Sequence, residues 1–157
     1  MNDTLDLAGG LTEVLSDGQH TYLYGNGRIS QYTGTTPEYF LGEALGSVRQ
    51  LEDAGRSVTL AKGYQPYGEV MDSAGSAATA YGFTGEWTDS SELVYLRARY
   101  YDPGTGRFMT KDTWGGDKNR PLSLNDWIYV EDNPIIRIDP SGKWYCQSNF
   151  PSSGSDC

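Results

Sequence analysis

Turn signals recur every 8–15 residues along almost the whole chain, and this spacing limits most strongly what the chain can fold into. They include Asp17-Gly18, Gly25-Asn26-Gly27, Leu45-Gly46, Asp53-Ala54-Gly55, Pro66-Tyr67-Gly68 and Asp102-Pro103-Gly104. Between them lie short β-prone runs: HTYLY, RISQY, SVRQLE, SVTLAKGY, SELVYLRARYY and GRFMT. Short strands at that spacing predict an all-β fold of antiparallel hairpins in series. One short helix is expected near residues 122–131, where Leu124, Trp127 and Ile128 repeat at i, i+3 and i+4. Ser123 or Asn125 would cap it, and Asn133-Pro134 would end it.

The interior of such a fold has to be built mostly from rings. Leu, Val, Ile and Phe together make only 28 of 157 residues, a share at which disorder competes with folding. Twelve Tyr and four Trp oppose it, because each aromatic side chain buries a large area while its polar tip still finds a partner. The stretch VYLRARYYDPGTGRF, residues 94–108, concentrates this chemistry: three arginines and four rings around an Asp-Pro-Gly turn. Strict alternation would place Val94, Leu96, Ala98 and Tyr100 on an apolar face and Tyr95, Arg97, Arg99 and Tyr101 on the other. There guanidinium groups would lie over rings and reach carboxylates.

Charge is distributed unevenly. The net charge of −9 resides in residues 1–96, whereas residues 97–157 hold eight acids and eight bases. An acidic chain without a basic face is a poor nucleic-acid binder, so the arginines are expected to pair with carboxylates. No stretch approaches the length needed to span a bilayer, and Met1-Asn2-Asp3 lacks the basic start and apolar run of a signal peptide. Two cysteines, Cys146 and Cys157, define neither a disulfide framework nor a zinc site. A terminal disulfide loop and a pair of tail thiols both remain open. No cofactor or metal is expected.

Five segments occur in an order that resembles a known family. ALGSVRQLED with YQPYGEV, then YGFTGEW, LVYLRARYYDPGTGRFMTKD and LNDWIYVEDNPIIRIDPSG are similar to the successive motifs of the Rhs-repeat-associated core domain. The upstream YGNGRISQY resembles a shortened YD repeat. The resemblance divides the chain into partial YD repeats (1–35), the core domain (36–143) and a short variable tail (144–157) expected to lack fixed structure. It implies a β-hairpin cocoon closed at one end by this segment, in proteins that are secreted or displayed on the cell surface. The implied partners are the remaining shell or other copies of the chain, a C-terminal toxin, or a cell-surface ligand, with no nucleic acid and no membrane insertion.

The resemblance also implies chemistry. Many members cut their own chain after the core with two aspartates, at a consensus resembling Pro-x-x-x-x-Asp-Pro-x-Gly-Leu. Here Pro134, Asp139, Pro140, Ser141 and Gly142 are in register, but Lys143 replaces the leucine. The second aspartate corresponds to Asp112, with Thr113 and Trp114 replacing the proline and its neighbour. Asp112 and Asp139 are therefore the candidate dyad, and Lys143–Trp144 the candidate scissile bond. Two carboxyls sharing one proton can activate water and polarise a carbonyl, and a same-chain substrate needs no diffusion. Without the resemblance, Asp139 reads as a turn residue and Asp112 as a loop or capping carboxylate. Three functions thus stand side by side: a structural closing segment, a self-cleaving aspartic peptidase, and a binding module. The last would use exposed rings, Tyr95 and Tyr101 among them, as stacking platforms for sugars or proteins.

Overall fold

The computed structural model describes residues 4–6, 13–25 and 27–147 as three antiparallel sheets. The first is an eight-stranded meander in chain order. Its strands are β1 (Thr4–Asp6), β2 (Glu13–Ser16), β3 (Thr21–Gly25), β4 (Gly27–Thr33), β5 (Thr36–Gly42), β6 (Val48–Asp53), β7 (Val58–Tyr64) and β8 (Val70–Gly75). The second sheet is built from β9 (Trp87–Thr88), β10 (Val94–Leu96), β11 (Arg99–Asp102) and β12 (Arg107–Phe108), side by side. The third pairs β13 (Arg137–Ile138) with β14 (Cys146–Gln147). All-β hairpins in series are therefore what the chain forms.

The turns close through the residues that announced them. Asp17 Oδ1 accepts the amides of Gln19 and His20, Asp53 Oδ1 that of Ser57, and Asp102 Oδ1 that of Gly104. Gly68 shows why one turn needs glycine. It sits at φ +96°, and a Cβ there would lie 2.4 Å from the Phe83 ring.

Two buried clusters hold the sheets, and both are centred on tyrosine. In the meander, Phe40, Leu51 and Leu60 share one cross-strand row. Tyr22, Val48, Leu51, Leu60 and Tyr81 form the buried cluster there. The Tyr81 ring meets Tyr22, Phe40 and Trp87 edge-on, and Arg28 lies over its face. The second cluster joins Phe83, Val94, Leu96, Tyr101, Phe108, Tyr129 and Val130. Tyr101 stacks on Tyr129 at 4.2 Å and donates its hydroxyl proton to the Tyr67 carbonyl at 2.7 Å.

Two expectations are corrected. Residues 122–131 do not form an α-helix; the stretch passes from one 3-10 turn, Pro121–Leu124, through a turn at Asp126-Trp127 and an isolated bridge at Ile128, to a second, Val130–Asp132. Tertiary partners take the carbonyls that a helix would use. Asp126 O accepts from Arg99 Nη1 and the Asp112 amide, and Trp127 O accepts from the Phe108 amide. Of the supposed apolar face, Leu124 and Trp127 are exposed and Ile128 is half-buried. Nor is 93–101 a single strand. A turn at Arg97-Ala98 folds β10 back on β11, pairing Leu96 with Arg99. The alternation inverts across that turn, so Val94, Leu96, Arg99 and Tyr101 are buried while Tyr95 and Tyr100 face outward.

Tyr101→Ala should cost about 3–5 kcal/mol, the range for emptying a buried aromatic site. Tyr39→Ala, at an exposed ring, should stay within about 0.5 kcal/mol. Urea denaturation of the two variants checks this ranking.

Candidate functional site

The inversion at Arg97-Ala98 turns Arg99 inward, where its side chain is only 7% exposed. A buried guanidinium must have all its donors met. Its Nε donates to the Gly142 carbonyl at 2.5 Å and its Nη1 to the Asp126 carbonyl at 3.1 Å. Its Nη2 pairs with Asp112 Oδ2 at 2.7 Å and lies 3.8 Å from Asp139 Oδ2. The guanidinium plane covers the Phe108 ring. Burial lowers the Arg99 pKa, opposed by the two carboxylates.

The two candidate aspartates therefore come together, with Arg99 as their common partner. Asp112 follows β12 and is fixed by accepting the Trp114 amide at 2.8 Å. Asp139 follows β13; its Oδ1 accepts from the Ser141 hydroxyl and from the Lys143 amide, each at 3.1 Å. Burial pushes the Asp139 carboxyl up to about 6, against the pull of Ser141 and Arg99. A cavity of about 250 Å³ opens beside the pair, lined among others by Arg99, Asp112, Asp139, Lys143 and Trp144.

The turn after Asp139 is shaped to be gripped. Gly142 has φ +68°, and a Cβ there would lie 2.3 Å from the Leu96 carbonyl oxygen. The Ala98 amide donates to Ser141 O, and Arg97 Nη1 donates to Pro140 O. Arg97 also pairs with Glu86, whose carboxyl burial raises. Lys143 is exposed, so its ammonium remains in water where the consensus has leucine.

Other predicted positions fall differently. Tyr101 is fully buried and offers no stacking platform, whereas Tyr95 is exposed beside Tyr100 at 5.2 Å. Within the supposed tail, Cys146 is buried and disulfide-bonded, and β14 pairs with β13. Residues 148–157, Cys157 included, lie outside the described residues. Arg99 is the residue that sequence reasoning missed as part of the site. The available signal was the two-residue turn, which reverses the side on which Arg99 lies. Among the described residues no helix is long and apolar enough to cross a membrane.

The model of the Teneurin YD-shell family matches residues 13–135. The chain belongs to the YD-shell family. It is 29% identical over 130 residues to the tRNA3(Ser)-specific nuclease WapA of Bacillus spizizenii, covering 79% of this chain and 6% of that protein. It is 33% identical over 84 residues to toxin subunit YenC1 of Yersinia entomophaga, covering 50% of this chain and 8% of that one. Among solved structures, TcdB2-TccC3 matches 90% of this chain and 7% of its own at TM-score 0.70 and 23% identity. The Tc holotoxin pore of Photorhabdus luminescens matches 99% and 8% at TM-score 0.70 and 21% identity. These structures share the fold, and the chain spans less than a tenth of each relative's length.

Arg99→Ala would leave two carboxylates around a hole and should cost about 3 kcal/mol or more. Arg120→Ala removes a guanidinium that is 43% exposed, and should cost less than about 1 kcal/mol despite its contacts to Asp117 and Glu131. Equilibrium unfolding of both variants separates the two cases.

Proposed function

We propose that this YD-shell segment is structural, closing one end of a β-shell that encloses or displays a C-terminal polymorphic region. The observation that carries this reading is the open meander. Every residue of β8 is exposed, and its outer edge has no strand partner among the described residues. An unpaired edge is a template for another strand. Supporting it is the small share of each relative that this chain spans, which leaves ample shell to supply that strand. On this reading residues 1–35 are partial YD repeats, residues 36–143 form the core, and residues 144–157 are a short variable tail. The whole protein acts outside the cell or on its surface. Its partners are the remaining shell or, for the chain alone, other copies of itself.

The chain alone should therefore associate as concentration rises, and Met71→Lys with Ser73→Lys on β8 should shift it toward monomer. Size-exclusion chromatography with light scattering reads both. A wild-type chain that stays monomeric up to its solubility limit counts against the edge.

A second reading is favoured by one specific arrangement. Asp112 and Asp139 come from separate segments and meet at one guanidinium beside the turn where relatives of this kind are expected to cut themselves. The pair would run a single-turnover hydrolysis, for which a slow site suffices. Wild-type protein should lose its tail on incubation, and Asp112→Asn and Asp139→Asn should each stay full length by intact mass. Equal tail loss in all three would dismiss the dyad.

A further inference from the structure

Residues 1–96 carry thirteen acids and only four bases, yet two of those bases stand side by side without a carboxylate. In the meander, β6 and β7 pair Gln50 with Ala61, and the next step of that register sets Arg49 against Lys62. Like charges directly opposite one another on a sheet repel. Both side chains are half-buried, and neither forms an ion pair among the described residues. Arg49 has the Tyr64 ring 5.9 Å away. Burial lowers the Lys62 pKa, and no carboxylate opposes that shift.

We propose that Lys62, with Arg49 beside it, recognises a carboxylate on the strand that joins β8, so that this edge takes an acidic strand. The proposal rests on the reading of β8 as an edge to be filled, and adds to it the chemistry of the occupant.

The register leaves Lys62 reachable from that edge. Lys62 pairs with Ser73, and Leu60 with Gly75. Residues directly opposite share a face, and every second position along a strand returns to it. The Lys62 face of β8 is therefore lined by Ser73 and Gly75, which are too small to cover an ammonium group. A strand added to the edge would run about 10 Å from β7, twice the usual strand spacing. A glutamate on that strand and the long Lys62 side chain meet across Ser73.

The acids already nearby do not serve. Asp72, the carboxylate within β8, pairs with Gly63 on the opposite face and lies across it, so that a Cβ at Gly63 would strike Asp72 Oδ1. Glu43 is near enough to act on Tyr64, as Arg49 is, but it forms no ion pair with either cation. A carboxylate from the joining strand would relieve the repulsion and offset what burial costs Lys62. An apolar strand would leave both cations as they are.

Peptide binding tests the occupant and the edge together. Two labelled, capped strand peptides of alternating valine and threonine, one with a central glutamate and one with a central glutamine, are titrated against the full chain by fluorescence anisotropy. The glutamate peptide should bind about tenfold more tightly. Lys62→Glu should reverse this preference, which removal of a merely structural lysine would not do. Equal affinity for the two peptides on the native chain overturns the acidic occupant while leaving the edge in place. Binding of neither overturns both. An unchanged preference in a Lys62→Glu variant that is folded by circular dichroism removes Lys62 from the recognition, and if that variant fails to fold, the ranking of the two peptides on the native chain still decides.

Discussion

One buried positive charge organises the second half of this protein. Arg99 can stay inside only if its donors and its charge are met: the loop at Asp112, the backbone at Asp126 and the turn at Gly142 bring oxygens within bonding distance, and Asp139 in that same turn adds a second negative charge. The guanidinium turns a weakness of composition into a reason for loops to converge. It also explains why residues 121–132 are irregular, since a helix there would withdraw the Asp126 carbonyl from the charge that needs it.

Around that charge, rings replace aliphatic side chains. Tyr81 and Tyr101 each stand at the centre of a cluster, with neighbouring rings edge-on or stacked and their hydroxyls directed to partners. A tyrosine core of this kind carries more directional restraint than a leucine core, because each ring must also satisfy a polar tip. Arg28 over Tyr81 and Arg99 over Phe108 repeat one solution in the two halves. Cations sit on ring faces where methyl groups would sit in a more aliphatic protein.

The order of strands was legible because turn residues act locally. Asp17, Asp53 and Asp102 bond the amides a few positions ahead whatever the rest of the chain does. That Asp112 and Asp139 would lie near each other was legible through motif order, which aligns them with a family pattern. Two features depended on distant contacts and were not. The apolar spacing of Leu124, Trp127 and Ile128 matches a helix, yet the backbone there serves β12 and Arg99. The run from Val94 to Tyr101 alternates well enough for one strand, and only the turn at Arg97-Ala98, stabilised by Pro140 and Ser141, reverses it. Arg99 was hidden for the same reason: parity along a strand says nothing once the strand has folded back.

In the eight-stranded sheet every strand pairs with the one made just before it. No pairing has to wait for a distant stretch of chain, so contacts remain short in sequence and loop closure costs little at each step. Such a ribbon can be laid down strand by strand as it leaves a ribosome or a narrow export channel. The ring-and-arginine cluster at residues 97–142 follows all eight of those strands in the chain, so every pairing within the wall is complete in sequence before its residues begin.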